Sequence, residues 1–132
     1  MDERASVVNI GGIEYEMLLT TRATKEIAKR YGGLENLGEK LMKSENFEMA
    51  IDEIVWLITM LCNQSIMIEN LKNKERAREL LTEEAVELLT SPSELAEYKD
   101  AIMLAMQKGT KRYIESEPDP KNAQVGQKLP PR

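Results

Sequence analysis

The stretch FEMAIDEIVWLITMLC, residues 47–62, decides the fold class. Phe47, Ala50, Ile51, Ile54, Val55, Ile58, Leu61 and Cys62 recur at three- and four-residue intervals, the spacing of one helix face. Trp56, Leu57 and Met60 widen that face almost to the full circumference. A helix apolar nearly all round is either central to its own fold or covered by another chain. Ser44 or Asn46 supplies the N-cap. Polarity returns at Asn63-Gln64-Ser65, and Ile66, Met67 and Leu71 carry the pattern onward, predicting a helix over residues 46–72.

Upstream, residues 7–19 read as a β-hairpin. Val8 and Ile10 alternate before Gly11-Gly12, and Ile13, Tyr15 and Met17 alternate after it. The two glycines supply the positive φ angles of a tight turn. An isolated hairpin is marginal in water, so its apolar face must rest on the helices that follow. Thr20 or Thr21 caps a helix over 21–31, carried by Ala23, Ile27, Ala28 and Tyr31 and stopped by Gly32-Gly33. A shorter helix follows over 34–43, with Leu34, Leu37, Leu41 and Met42 on one side.

Downstream, residues 72–79 lack any large apolar side chain and either extend the long helix or form an exposed linker. Thr82-Glu83-Glu84 opens a short helix to Leu89, with a capping threonine and two acids facing the positive end of the dipole. Ser91-Pro92-Ser93-Glu94 combines a capping serine, a proline at the first helical position and a glutamate placed for a capping box. The helix it opens runs to residue 115, with Leu95, Tyr98, Ile102, Ala105 and Met106 on one side. From Glu117 a polar run broken by Pro118, Pro120, Pro130 and Pro131 cannot bury enough surface to offset its ordering entropy, and disorder is expected.

The expected fold is therefore mainly α: an N-terminal β-hairpin packed on a bundle of about four to five helices. Residues 1–116 form a single domain, and 117–132 form a flexible, Pro-rich, disordered C-terminal tail.

Composition narrows the function. The chain has 132 residues, a net charge of −5 and a pI near 5.0. Nucleic-acid binders carry a basic stripe that neutralises phosphates. The nearest equivalent, Arg22, Lys25, Lys29, Arg30, Lys40 and Lys43, shares its region with Glu26, Glu35 and Glu39 and reads as a solvated helix face. Neither a secretory leader nor an unbroken apolar stretch of about 20 residues is present, so a soluble, cytoplasmic protein with no membrane partner is expected.

Catalytic chemistry has little to work with. The chain contains no histidine, which removes the commonest general base and metal ligand. Cys62 lies on an apolar face and reads as a small buried hydrophobe. The neighbouring acids Asp52-Glu53 and Glu83-Glu84 point about 100° apart on a helix and suit solvation and capping. Gly11-Gly12 and Gly32-Gly33 lack the flanking residues of a phosphate loop. No cofactor, metal or enzymatic activity is expected.

What remains is adhesive character. The eight methionines are many for this length, and seven fall in the folded part: Met17, Met42, Met49, Met60, Met67, Met103 and Met106. Methionine fills cores, and it also suits surfaces that accommodate irregular partners. Trp56, Leu57 and Met60 on the long helix, with Met103 and Met106 on the last, are the candidate partner-binding residues.

The stretch IGGIEYEMLLTTR (10–22) combines a Gly-turn hairpin, Glu-Tyr in the second strand and a Thr-x-Arg helix start, and that helix ends in Lys29-Arg30-Tyr31-Gly32. The apolar helix around Trp56, the Leu-Thr-x-Glu start at Leu81 to Glu84 and a final helix with Lys108-Gly109 complete the order. Over residues 7–115 this order resembles the tail assembly chaperones of long, non-contractile-tailed bacteriophages and prophages. The resemblance implies a non-catalytic protein that binds the tape measure protein, keeps it soluble and helps recruit tail tube subunits. It implies self-association into a homo-oligomer, residence in the cytoplasm of the bacterial host and absence from the mature virion. A longer frameshifted product, extending from the C-terminus, is common in that family. The alternatives are a structural tail or connector component retained in the virion, and a small helical interaction or regulatory module.

Overall fold

A computed structural model of the chain describes residues 4–43 and 47–116, with side chains for 4–40 and 51–110. Strands β1 (Ser6–Ile10) and β2 (Ile13–Met17) pair antiparallel, with Ile10 opposite Ile13, Val8 opposite Tyr15 and Ser6 opposite Met17. Gly11 and Gly12 form the two-residue loop with φ of +61° and +89°, the both-positive pair of a turn whose twist matches the strands it joins. The Asn9 side-chain oxygen accepts the Gly12 N–H at 3.0 Å. Ser6, Val8, Ile10 and Met17 are buried on the inner face. Ile13, expected to point inward with them, is 54% exposed. It is the first residue after the turn, opposite the buried Ile10.

Five α-helices follow among the described residues. α1 (Thr21–Tyr31) is capped by Thr20, whose hydroxyl accepts the Ala23 N–H at 3.0 Å, and is closed by Gly32. α2 is Leu34–Lys43 and α3 is Phe47–Lys72. α4 (Glu83–Leu89) is capped by Thr82. α5 (Leu95–Ser116) is entered through a single 3-10 turn at Pro92–Glu94 that carries the expected capping box. The expected cap at Ser44 or Asn46 and the tail 117–132 lie outside the described residues.

α3 is the hub. β2, α1, α4 and α5 all pack on it, while β1 lies on α5. Ile54, Val55, Leu57, Ile58, Leu61 and Cys62 are all buried. By length and composition the segment Ile51–Lys72 would also suffice to cross a membrane. Here its apolar surface from Ile54 to Ile66 is largely taken up by the hairpin and the neighbouring helices, as expected of the central helix of a small bundle, while Leu71 near its end stays exposed.

Between α3 and α4 the long helix does not continue. A 3-10 turn at Lys74–Arg76 reverses the chain, which then runs back along α3 as an extended strap. Two asparagines hold it. The Asn70 side chain donates to the Arg78 carbonyl at 3.0 Å and accepts the Arg78 N–H at 2.9 Å. Asn63 does the same with Leu81, at 2.9 and 2.7 Å. The spacing is geometrically matched: seven helical residues rise about 10.5 Å, and three extended residues span about 10 Å. Each primary amide replaces the neighbouring strand that an isolated extended segment lacks.

Candidate functional site

The partner face expected on the long helix is mostly consumed by the fold. Leu57 is fully buried in the core, so it presents no surface on a single chain. This corrects the reading of Leu57 as a partner contact; the hairpin and α5 supply the cover that the sequence left open. Trp56, Met60, Met103 and Met106 are half-buried and pack against the same core. They do not form one bare apolar patch, because Trp56 is roofed by charge.

The roof is built around Glu53. Arg30 from α1 approaches its carboxylate at 3.4 Å and Lys40 from α2 at 3.2 Å, and Tyr31 donates its hydroxyl to the same carboxylate. The Arg30 guanidinium also lies 4.3 Å from the centre of the Trp56 ring, and Tyr31 meets that ring edge-on with centroids 6.1 Å apart. Arg30 and Lys40, read from sequence as part of a solvated basic face, are instead the clamp that fixes α1 and α2 to α3. A half-buried carboxylate needs such partners to offset its desolvation.

A second polar knot joins the hairpin to α5. Glu94 accepts the Ser91 backbone N–H at 2.8 Å, and its other oxygen lies 2.9 Å from the Tyr98 hydroxyl. That hydroxyl is also 2.9 Å from the Asn9 carbonyl of β1. Together with the Ser91 hydroxyl, these bonds hold the Glu94 carboxyl below the usual range, the backbone N–H contributing most. Burial, then the Glu94 contact, pushes the buried Tyr98 phenol up. Burial likewise pushes the Cys62 thiol up to about 12. Among the described residues no group of three or more Asp, Glu or Cys side chains gathers to hold a metal ion.

The open apolar surface lies at the other end of α1. A concavity of about 740 Å³ has Leu19, Ala28 and Leu34 in its wall, with Thr21 and Lys25 from α1 and Gly109 from α5. A second, of about 660 Å³, is lined by Met67, Ile68 and Leu71 of α3 and Leu80 of the strap, with Arg22 beside them. Both are also lined by Arg4, Thr20 and Thr21, so they adjoin across the start of α1 as one groove. Leu71 is 74% exposed and Leu80 is 47% exposed. Below them the wall is firm. The Thr20 hydroxyl donates to the buried Gln64 side chain, which in turn donates to the Met60 carbonyl at 3.1 Å.

Sequence reasoning missed this groove. Its apolar residues come from five separate segments, so no periodicity within one helix displays them. The one local signal was that Leu71 and Leu80 bracket a run with no large apolar residue, which leaves them without obvious core partners.

No protein-family model matches the chain, and neither does any curated protein or solved structure.

Proposed function

We propose that the chain is a non-catalytic tail assembly chaperone that binds the tape measure protein, keeps it soluble and helps recruit tail tube subunits. The groove across the start of α1 carries the reading. It sets two exposed leucines, Leu71 and Leu80, above a wall of Met67 and Ile68, whereas the exposed Leu88, Leu89 and Leu104 line neither half of the groove. An amphipathic helix lays its apolar face into such a groove. A tape measure protein is long and helical, and it offers that face repeatedly. Each contact can then be weak, because many copies along one client gain from avidity, and tube subunits can displace them.

The order of elements over residues 7–115 supports the identity of the client. The lack of histidine and the burial of the only cysteine support a non-catalytic role. The chaperone would work in the host cytoplasm, self-associating along its client, and be absent from the finished particle.

The test is co-expression with a tape measure protein from the same genome. The chain should co-purify with that protein and raise its soluble yield, and mass spectrometry of purified particles should not detect it. Failure to co-purify would overturn the proposal. Stoichiometric presence in particles would assign the chain to the virion-retained components instead.

A further inference from the structure

Charge is sorted sharply around the groove. The chain holds 23 acidic residues against 18 basic ones, yet among the described residues no Asp or Glu lines either half of the groove. Its α1 wall instead presents Arg22 and Lys25, both exposed. Arg22 reaches across to the Met67 sulfur at 3.7 Å, which leaves its charge unneutralised. Nearby carboxylates are engaged elsewhere: Glu26 pairs with Lys29 at 3.5 Å and Glu69 with Arg78 at 3.3 Å. Neither Arg22 nor Lys25 has a carboxylate partner among the described residues.

We infer that the groove selects an amphipathic helical segment of its client whose apolar stripe is flanked by carboxylates. This rests on the chaperone reading and adds to it the charge pattern of the segment recognised. Leu71, Leu80 and Met67 take the stripe, and Arg22 and Lys25 meet the acids beside it. In a protein of net negative charge, a cationic rim around an apolar floor also repels basic helices locally while the remaining surface repels acidic ones. Recognition therefore depends on docking in the groove rather than on net charge.

The test uses the full chain and two labelled peptides of about 18 residues, long enough for five helical turns. They share one leucine stripe and differ only in flanking Glu or Lys, and fluorescence anisotropy reads binding. At about 50 mM salt, where screening is weak, the Glu peptide should bind about tenfold more tightly than the Lys peptide, and the gap should narrow as salt is raised. Arg22→Glu with Lys25→Glu should reverse the preference. Leu71→Ser with Leu80→Ser should weaken both peptides, with circular dichroism confirming that these surface variants remain folded.

Equal binding of both peptides, or a Glu preference that survives the charge reversal, would overturn the inference. So would dissociation of a homodimer by the leucine variants in light scattering, which would assign the groove to a second copy. A chain that co-purifies with tape measure protein but shows no Glu preference loses this inference and keeps the chaperone function. The reverse pattern removes the chaperone function and keeps the groove's selectivity.

Discussion

Glu53 and its neighbour Asp52 are adjacent acids with opposite fates. Asp52 is exposed, whereas the Glu53 side chain is 14% exposed and held by Arg30, Lys40 and Tyr31. The step of about 100° between them decides which one faces α1 and α2. Sequence alone showed that their directions differ but not which was turned inward, because that depends on where two other helices dock. Glu53→Gln leaves both cations without their countercharge. It should lower stability by about 1–2 kcal/mol, because the cations are partly solvated and the carboxylate much less so. The urea unfolding midpoint followed by Trp56 fluorescence measures it, and Asp52→Asn is the control that should change little. Cys62 was read correctly as a buried hydrophobe from its place on an apolar face. Burial pushes its thiol up to about 12, so the unreactive thiol form dominates at pH 8. A disulfide-exchange thiol reagent should therefore label it only as fast as the protein opens, and at once in denaturant.

At the scale of elements, hairpin and helices follow from local chemistry. Gly11-Gly12 sets the turn, Thr20 and Thr82 cap α1 and α4, and Ser91-Pro92 with Glu94 opens the path into α5. These signals are short-range, so they could be read without knowing the fold. The strap was not readable, because its hydrogen bonds go to asparagines 18 and 8 residues away along the chain. Close packing between elements was equally hidden. Gly109 in α5 sits where an added Cβ would come 2.8 Å from the Leu19 Cβ. Alanine there would gain helix propensity of about 1 kcal/mol. The overlap should outweigh it, since forcing an extra carbon into a tight contact costs about 1–3 kcal/mol. Gly109→Ala is thus expected to lower the melting temperature. Gly38→Ala, at a helical glycine with open space around its Cβ position, should raise it.

Across the whole molecule, the hairpin, α3 and α5 stand or fall together, and pH tests that union. The Glu94 knot ties the entry of α5 to β1 through Tyr98 and Asn9. Because the Glu94 carboxyl is held below the usual range, its contribution is complete above the ordinary carboxylate pKa and is lost as pH falls through the lowered value. Glu94→Gln should therefore be less stable than wild type at neutral pH, with the two converging in strong acid. Urea midpoints measured from about pH 7 down to pH 2 test this, and a constant gap would exclude it. Tyr98 acts at the opposite end, since a phenol pushed up by burial loses its stabilisation as pH rises past the ordinary tyrosine range. The broad class, hairpin plus helical bundle, was legible because one apolar helix needs a surrounding layer. The groove was not, because it exists only after five separate segments have met.

The amide rungs of Asn63 and Asn70 also bear on how the chain meets a protease. Lys72, Lys74, Arg76 and Arg78 crowd into one exposed stretch, which composition alone would mark as the first place for trypsin to enter. Cleavage requires the local backbone to leave its partners and enter the enzyme's cleft. Arg78 is held at both its N–H and its carbonyl, while Lys74 and Arg76 sit in a lone 3-10 turn. The early cuts should fall after Lys74 or Arg76, with the Arg78–Glu79 bond cut later. Asn70→Ala should bring that bond forward to join them in the same limited digest. A single side-chain amide thus sets the order in which the molecule is dismantled.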